Sequence, residues 1–116
     1  MHDYKKLNVW KESIELITEV YKTTSEFPST EKFGLISQIN RCAVSIASNI
    51  AEGAGRNTDG EFRQFLGTSK GSSYELETQL IVSNNLGYIS IEELNILIEK
   101  LEYDQKMIHN LIKSLK

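Results

Sequence analysis

The chain has 116 residues, 40% hydrophobic and 25% charged, with one proline, a length that suits a single domain over 1–116 and excludes a multidomain enzyme. Thirteen Lys/Arg against sixteen Asp/Glu give a net charge of -3, the wrong sign for a protein that coats nucleic acid by default. The lone Cys42 can form no disulfide within the chain, no apolar run approaches the roughly 18 residues of a membrane span, and residues 1–6 are polar, so a soluble cytoplasmic protein is expected.

Leu7, Trp10, Ile14, Ile17 and Tyr21 recur at helical spacing and predict a first helix over about 7–26 with that stripe inward. Phe27-Pro28 breaks it, because proline lacks a donor and disfavours helical geometry in the residue before it. A second helix, about 30–53, is expected to be capped by Ser29 or Thr30. It carries Leu35, Ile39, Cys42, Ile46 and Ile50 with Ala43 and Ala47, and stops at the glycines of Gly53-Ala54-Gly55.

Thr58-Asp59-Gly60-Glu61 has the capping-box form and opens a third helix over about 58–86. Its stripe is Phe62, Leu66, Ser69, Ser73, Leu76, Leu80 and Ser83, and it ends at Leu86-Gly87. A second capping box, Ser90 to Glu93, opens a fourth helix over about 90–115, with Ile91, Leu94, Ile98, Leu101, Ile108, Ile112 and Leu115 inward and Gln105 as the polar interruption. Nothing reads as a strand. Four helices with short loops predict an all-α, antiparallel up-down-up-down four-helix bundle. Small residues in the middle of helices two and three (Ala43, Ser45, Ala47 and Ser48; Gly67, Ser69, Gly71, Ser72 and Ser73) predict a close approach there, with a large residue at Gly71 destabilising.

The strings Ser45-Ile46-Ala47-Ser48-Asn49-Ile50-Ala51-Glu52-Gly53 and Glu75-Leu76-Glu77-Thr78-Gln79-Leu80 carry a resemblance, joined by Gly55-Arg56, Glu61-Phe62, Phe65-Leu66, Gly71-Ser72 and Leu86-Gly87-Tyr88-Ile89. The chain resembles the four-helix-bundle proteins encoded in intervening sequences of bacterial large-subunit ribosomal RNA genes. The match begins at Leu7-Asn8-Val9-Trp10; where that family often has proline inside the first string, this chain has Ala47. The resemblance implies a closed homo-oligomer, a pentamer, and supplies no reaction. Related accessory proteins of diversity-generating retroelements are similar as basic pentameric barrels that engage nucleic acid and a reverse transcriptase, whereas this chain is acidic.

Arg41, Asn49, Glu52, Glu75 and Glu77 are expected to form a polar network between helices two and three, with an Arg41–Glu75 salt bridge and with Arg56 near the turn. No metal or other cofactor is expected, since His2 and His109 are the only histidines and neither follows an acidic residue by three positions. No phosphate-binding glycine loop or nucleophile elbow is present, Cys42 reads as a buried small hydrophobe, and an enzyme is disfavoured.

Alternating helix directions divide the charge. Residues 1–16, 42–72 and 104–116 hold nine Lys/Arg against seven Asp/Glu, or +2; residues 17–41 and 73–103 hold four against nine, or -5. Lys5, Lys6, Lys11, Arg56, Arg63, Lys106, Lys113 and Lys116 belong to the positive half and are the candidates for phosphate contact. On helix four, Ile96, Tyr103 and Met107 lie opposite the core stripe, and helix one widens through Val9, Leu16 and Val20; a second apolar stripe points to a subunit interface. The expected function is a non-enzymatic homo-oligomeric interaction module that engages structured RNA or a nucleic-acid-processing protein through its positive end. The alternative is a protein-only scaffold.

Overall fold

A computed structural model describes residues 2–115. Four helices, α1 (Asn8–Thr24), α2 (Leu35–Ala54), α3 (Asp59–Asn85) and α4 (Ile91–Ser114), make an all-α bundle with no strand among the described residues. Two short 3-10 turns precede α1 and α2, at Tyr4–Lys6 and Ser29–Glu31. At 1.5 Å per residue the 27 residues of α3 span about 40 Å, close to the 44 Å longest dimension, so α3 runs the length of the molecule.

The hydroxyl half of each expected capping box forms, while the Glu61 and Glu93 carboxylates contact the cap hydroxyls and not the cap N–H groups. Thr58 Oγ1 accepts from the Glu61 N–H at 3.1 Å, and Ser90 Oγ accepts from the Glu93 N–H at 3.1 Å. Gly87 ends α3 in the left-handed region at φ 82°, where glycine avoids the Cβ clash. The start of α2 differs from the expected one: Ser29–Glu31 forms a separate 3-10 turn, neither Ser29 nor Thr30 caps, and α2 begins at Leu35. Glu31 takes the capping role, its Oε1 accepting from the Leu35 N–H at 3.3 Å while its Oε2 accepts from the Tyr88 hydroxyl at 2.9 Å.

The core stripe of α3 is the expected one, with Phe62, Leu66, Ser69, Ser73, Leu76, Leu80 and Ser83 all buried, and α2 likewise buries Ile39, Cys42, Ala43, Ile46, Ala47 and Ile50. The stripe of α1 is rotated by one residue, about 100°, from the expected one. Val9, Ser13, Leu16, Val20 and Thr24 are buried, whereas Ile14 and Tyr21 are 40% and 47% exposed and Trp10 and Ile17 flank the core. Val9, Leu16 and Val20 are therefore core and not part of an outer stripe. The reason is that two hydroxyls belong to the true stripe: Ser13 donates to Val9 O at 2.7 Å, and Thr24 donates to Asn40 Oδ1 at 3.0 Å. With a partner four residues back for Ser13 and on the neighbouring helix for Thr24, they cost little to bury, and a pattern of apolar residues alone counts them as polar.

On α4 the buried residues are Leu94, Leu97, Leu101, Asp104 and Ile108. The polar residue inside the stripe is thus Asp104, while Gln105 is half-buried and donates to Glu77 Oε1 at 3.0 Å; Ile91 is 51% exposed.

The close approach of α2 and α3 is made by hydroxyls. Ser69 donates to Ile46 O at 2.8 Å, Ser45 and Ser72 hydroxyls meet at 2.9 Å, and the Cys42 thiol donates to Ser72 O at 3.0 Å. Gly67 and Gly71 take no part in it: a Cβ at either would meet nothing within 4 Å, so the expected role of Gly71 is corrected. Gly53 is the glycine at close quarters, against Phe65 and Phe62, and the C-cap Gly55 keeps an ordinary φ of -84°.

Candidate nucleic-acid interface

The first residues dock on the turn between α2 and α3. The His2 N–H donates to Ala54 O at 2.7 Å, its ring lies 3.2 Å from Asp59 Oδ1, and it packs on the Phe62 ring at 5.0 Å. This brings Lys5 and Lys6, exposed on the 3-10 turn that packs on α2, toward the turn that carries Arg56 and the first turns of α3 that carry Arg63. Arg56 stacks its guanidinium over the Phe65 ring at 4.7 Å and lies 3.9 Å from Glu52 Oε2. Lys11, Lys106 and Lys113 are exposed on α1 and α4, and Lys113 sits in the last turn of α4, where a cation suits the helix dipole. Lys116 lies outside the described residues.

Of the polar residues assigned to a network, Asn49 turns back to Ser45 O at 2.8 Å, Glu52 faces Arg56, and Glu77 accepts from Gln105 on α4, an inter-helix contact with a different partner helix from the one expected. Arg41 and Glu75 are both exposed and form no ion pair among the described residues. It is Cys42, one residue on, that faces α3: burial, reinforced by the Glu75 carboxylate, pushes its thiol up to about 12 and keeps it protonated.

Between α3 and α4 an open groove of about 1010 Å³ is lined by Tyr74, Ile96, Tyr103, Lys100, Lys106 and His109 among others. Ile96 and Tyr103 are 56% and 55% exposed; Met107, expected beside them, instead packs against the core. Tyr74, Lys70 and His109 also line this groove, and none of them was expected there. Lys70 Nζ lies 3.2 Å from His109 Nδ1, a contact between residues 39 apart that no local pattern announces. Tyr74 is one residue beyond the buried Ser73, which was the available signal.

Among the described residues no helix is long and apolar enough to cross a membrane, and no group of three or more His, Cys, Asp or Glu could hold a metal ion. The class so defined is an all-α helical bundle with a charged outer surface. The chain belongs to the 23S rRNA-intervening sequence protein family, whose model matches residues 5–110. It is similar in structure to a protein of unknown function from the S23 ribosomal protein family of Bacteroides thetaiotaomicron VPI-5482. That likeness has a TM-score of 0.82 and 23% identity, and covers 91% of this chain and 96% of the other. No curated protein matches the chain.

Proposed function

We propose that the protein is a non-enzymatic, homo-oligomeric interaction module that engages structured RNA, or a protein that processes nucleic acid, through its basic end. The carrying observation is the docking of His2 on the α2–α3 turn, which gathers Lys5, Lys6, Arg56 and Arg63 around one end of the bundle. Lys113 joins them if the helices run up-down-up-down. Two contacts favour that arrangement, since the α3 partner falls from Glu77 to Lys70 as the α4 partner rises from Gln105 to His109. Cations grouped without base-reading geometry suit phosphate contact, in which affinity falls steeply with salt. The cytoplasm is the compartment in which such a partner is met.

The assembly reading rests on the exposed Ile96, Tyr103 and Tyr74 at the α3–α4 groove, an apolar set that a second copy would cover, with a pentamer as the expected closed form. A gel shift with structured RNA at low and moderate salt tests the nucleic-acid reading. Binding that weakens with salt is expected, and no binding at any ionic strength sinks it. The net charge of -3 favours the alternative of a protein-only scaffold, whose partner would survive nuclease treatment in a pull-down.

A further inference from the structure

The seam between α1 and α4 buries a carboxyl group with no cation beside it. Asp104 is 1% exposed, and its Oδ2 lies 3.1 Å from Ser13 Oγ, which in turn lies 2.7 Å from Val9 O. A hydroxyl has one proton, so Ser13 donates either to Val9 O, the shorter contact, or to Asp104 Oδ2, but not to both at once. An ionised Asp104 would then leave one of the two acceptors without that proton in a buried place. A neutral Asp104 donates its own proton to Ser13 Oγ and completes a chain from Asp104 through Ser13 to Val9; one added proton satisfies all three groups.

The charged surroundings agree. On α1 the group that bears on Asp104 is Glu12, of the same sign. The buried residues of α2 include one titratable group, the thiol of Cys42, and those of α3 include none. The α3 side chains that reach α4, Lys70 and Glu77, are engaged with His109 and Gln105, and on α4 itself Lys100 is exposed on the outer groove. No Lys, Arg or His is buried among the described residues.

We propose that Asp104 is a proton-operated lock between α1 and α4: as the neutral acid it donates to Ser13 and closes the seam, and loss of its proton loosens α1 from α4. Burial pushes its carboxyl up to about 7 and the Glu12 carboxylate adds to the rise; only a Ser13 hydroxyl turned away from Val9 O to donate to the ionised carboxylate opposes it. The unfolded chain, with an ordinary value of 3.8, has shed that proton by neutrality. The folded state therefore holds a proton that the unfolded state lacks. The contribution to stability is full below 3.8 and is lost as pH rises through about 7.

Urea unfolding at about pH 6 and about pH 8.5, both above the isoelectric point of about 5.4, tests this. The unfolding equilibrium constant of the wild-type protein should be about tenfold larger at the higher pH, and that of Asp104→Asn nearly unchanged, because an amide donates to Ser13 without titrating. Equal pH dependence of the two proteins overturns the proposal. If Asp104→Asn does not fold, the wild-type carboxyl read by carbon NMR decides: a midpoint near 7 supports the lock, and one below about 5 overturns it. Amide exchange locates the effect. Protection lost above neutrality first in α1 supports a seam that opens there, and loss shared equally with α3 overturns it.

Discussion

A methyl group added at Gly53 would sit 2.6 Å from Phe65 Cβ and 3.0 Å from Phe62 Cδ1, whereas one added at Gly71 would meet nothing within 4 Å. The two glycines therefore respond oppositely to alanine. Gly53→Ala should cost about 1–3 kcal/mol by overpacking. Gly71→Ala should gain up to about 1 kcal/mol by reducing backbone entropy inside α3. Urea midpoints of the two variants check both signs. The sequence alone misplaces this role because counting small residues does not say on which side of a helix each one lies. Asp104 is a second residue whose setting was not legible: in a helix rich in Glu and Lys an acidic residue reads as solvated. The difference between about 7 and 3.8 makes its ionisation worth roughly 4 kcal/mol, a large part of the 5–15 kcal/mol that stabilises a typical domain.

At the scale of elements, α3 was the most legible, because its seven-residue stripe alternates steps of four and three and admits serine as core. The same alternation governs α1, but there Trp10, Ile14, Ile17 and Tyr21 form a richer apolar row one residue away from the buried one. Residue type outvoted the hydroxyls that hydrogen bonding makes cheap to bury. Helix starts were legible where the residue immediately before the helix caps it, as at Thr58 and Ser90. The start of α2 was not, since its cap comes from Glu31 across an intervening turn. Thr58→Ala and Ser90→Ala should each lower stability by about 1 kcal/mol in thermal or urea unfolding. The outer face of α4 makes a separate prediction: Tyr103→Glu places a charge in the exposed apolar set without touching the core, and light scattering should then report smaller particles than wild type. An unchanged mass would count against the proposed assembly through that face.

For the whole molecule, the proposed up-down-up-down arrangement would divide the charge of -3 into a positive and a negative half. If Asp104 keeps its proton, the positive half gains one unit relative to the count in which every carboxylate is ionised, so the lock and the basic end act in the same direction as pH falls. Charge reversal at Lys5 or Arg56 should weaken RNA binding and flatten its salt dependence, measured as the slope of log affinity against log salt. A variant with normal slope and affinity would place the contact elsewhere. The face proposed for assembly shows in the sequence only through Ile96 and Tyr103; the groove that joins them to Tyr74 needed two helices to be set side by side.

The Lys22–Glu19 and Arg56–Glu52 ion pairs and the His2–Asp59 contact all lie in wet surroundings, and exposed ion pairs typically contribute less than about 1 kcal/mol each. The bundle is held instead by aliphatic side chains and by serine and threonine hydroxyls tied to backbone carbonyls. Folding and surface charge are thus nearly separable in this protein. Its lysines and arginines can be replaced one at a time, or reversed in groups, and any loss of binding to a tested partner read as recognition and not as collapse.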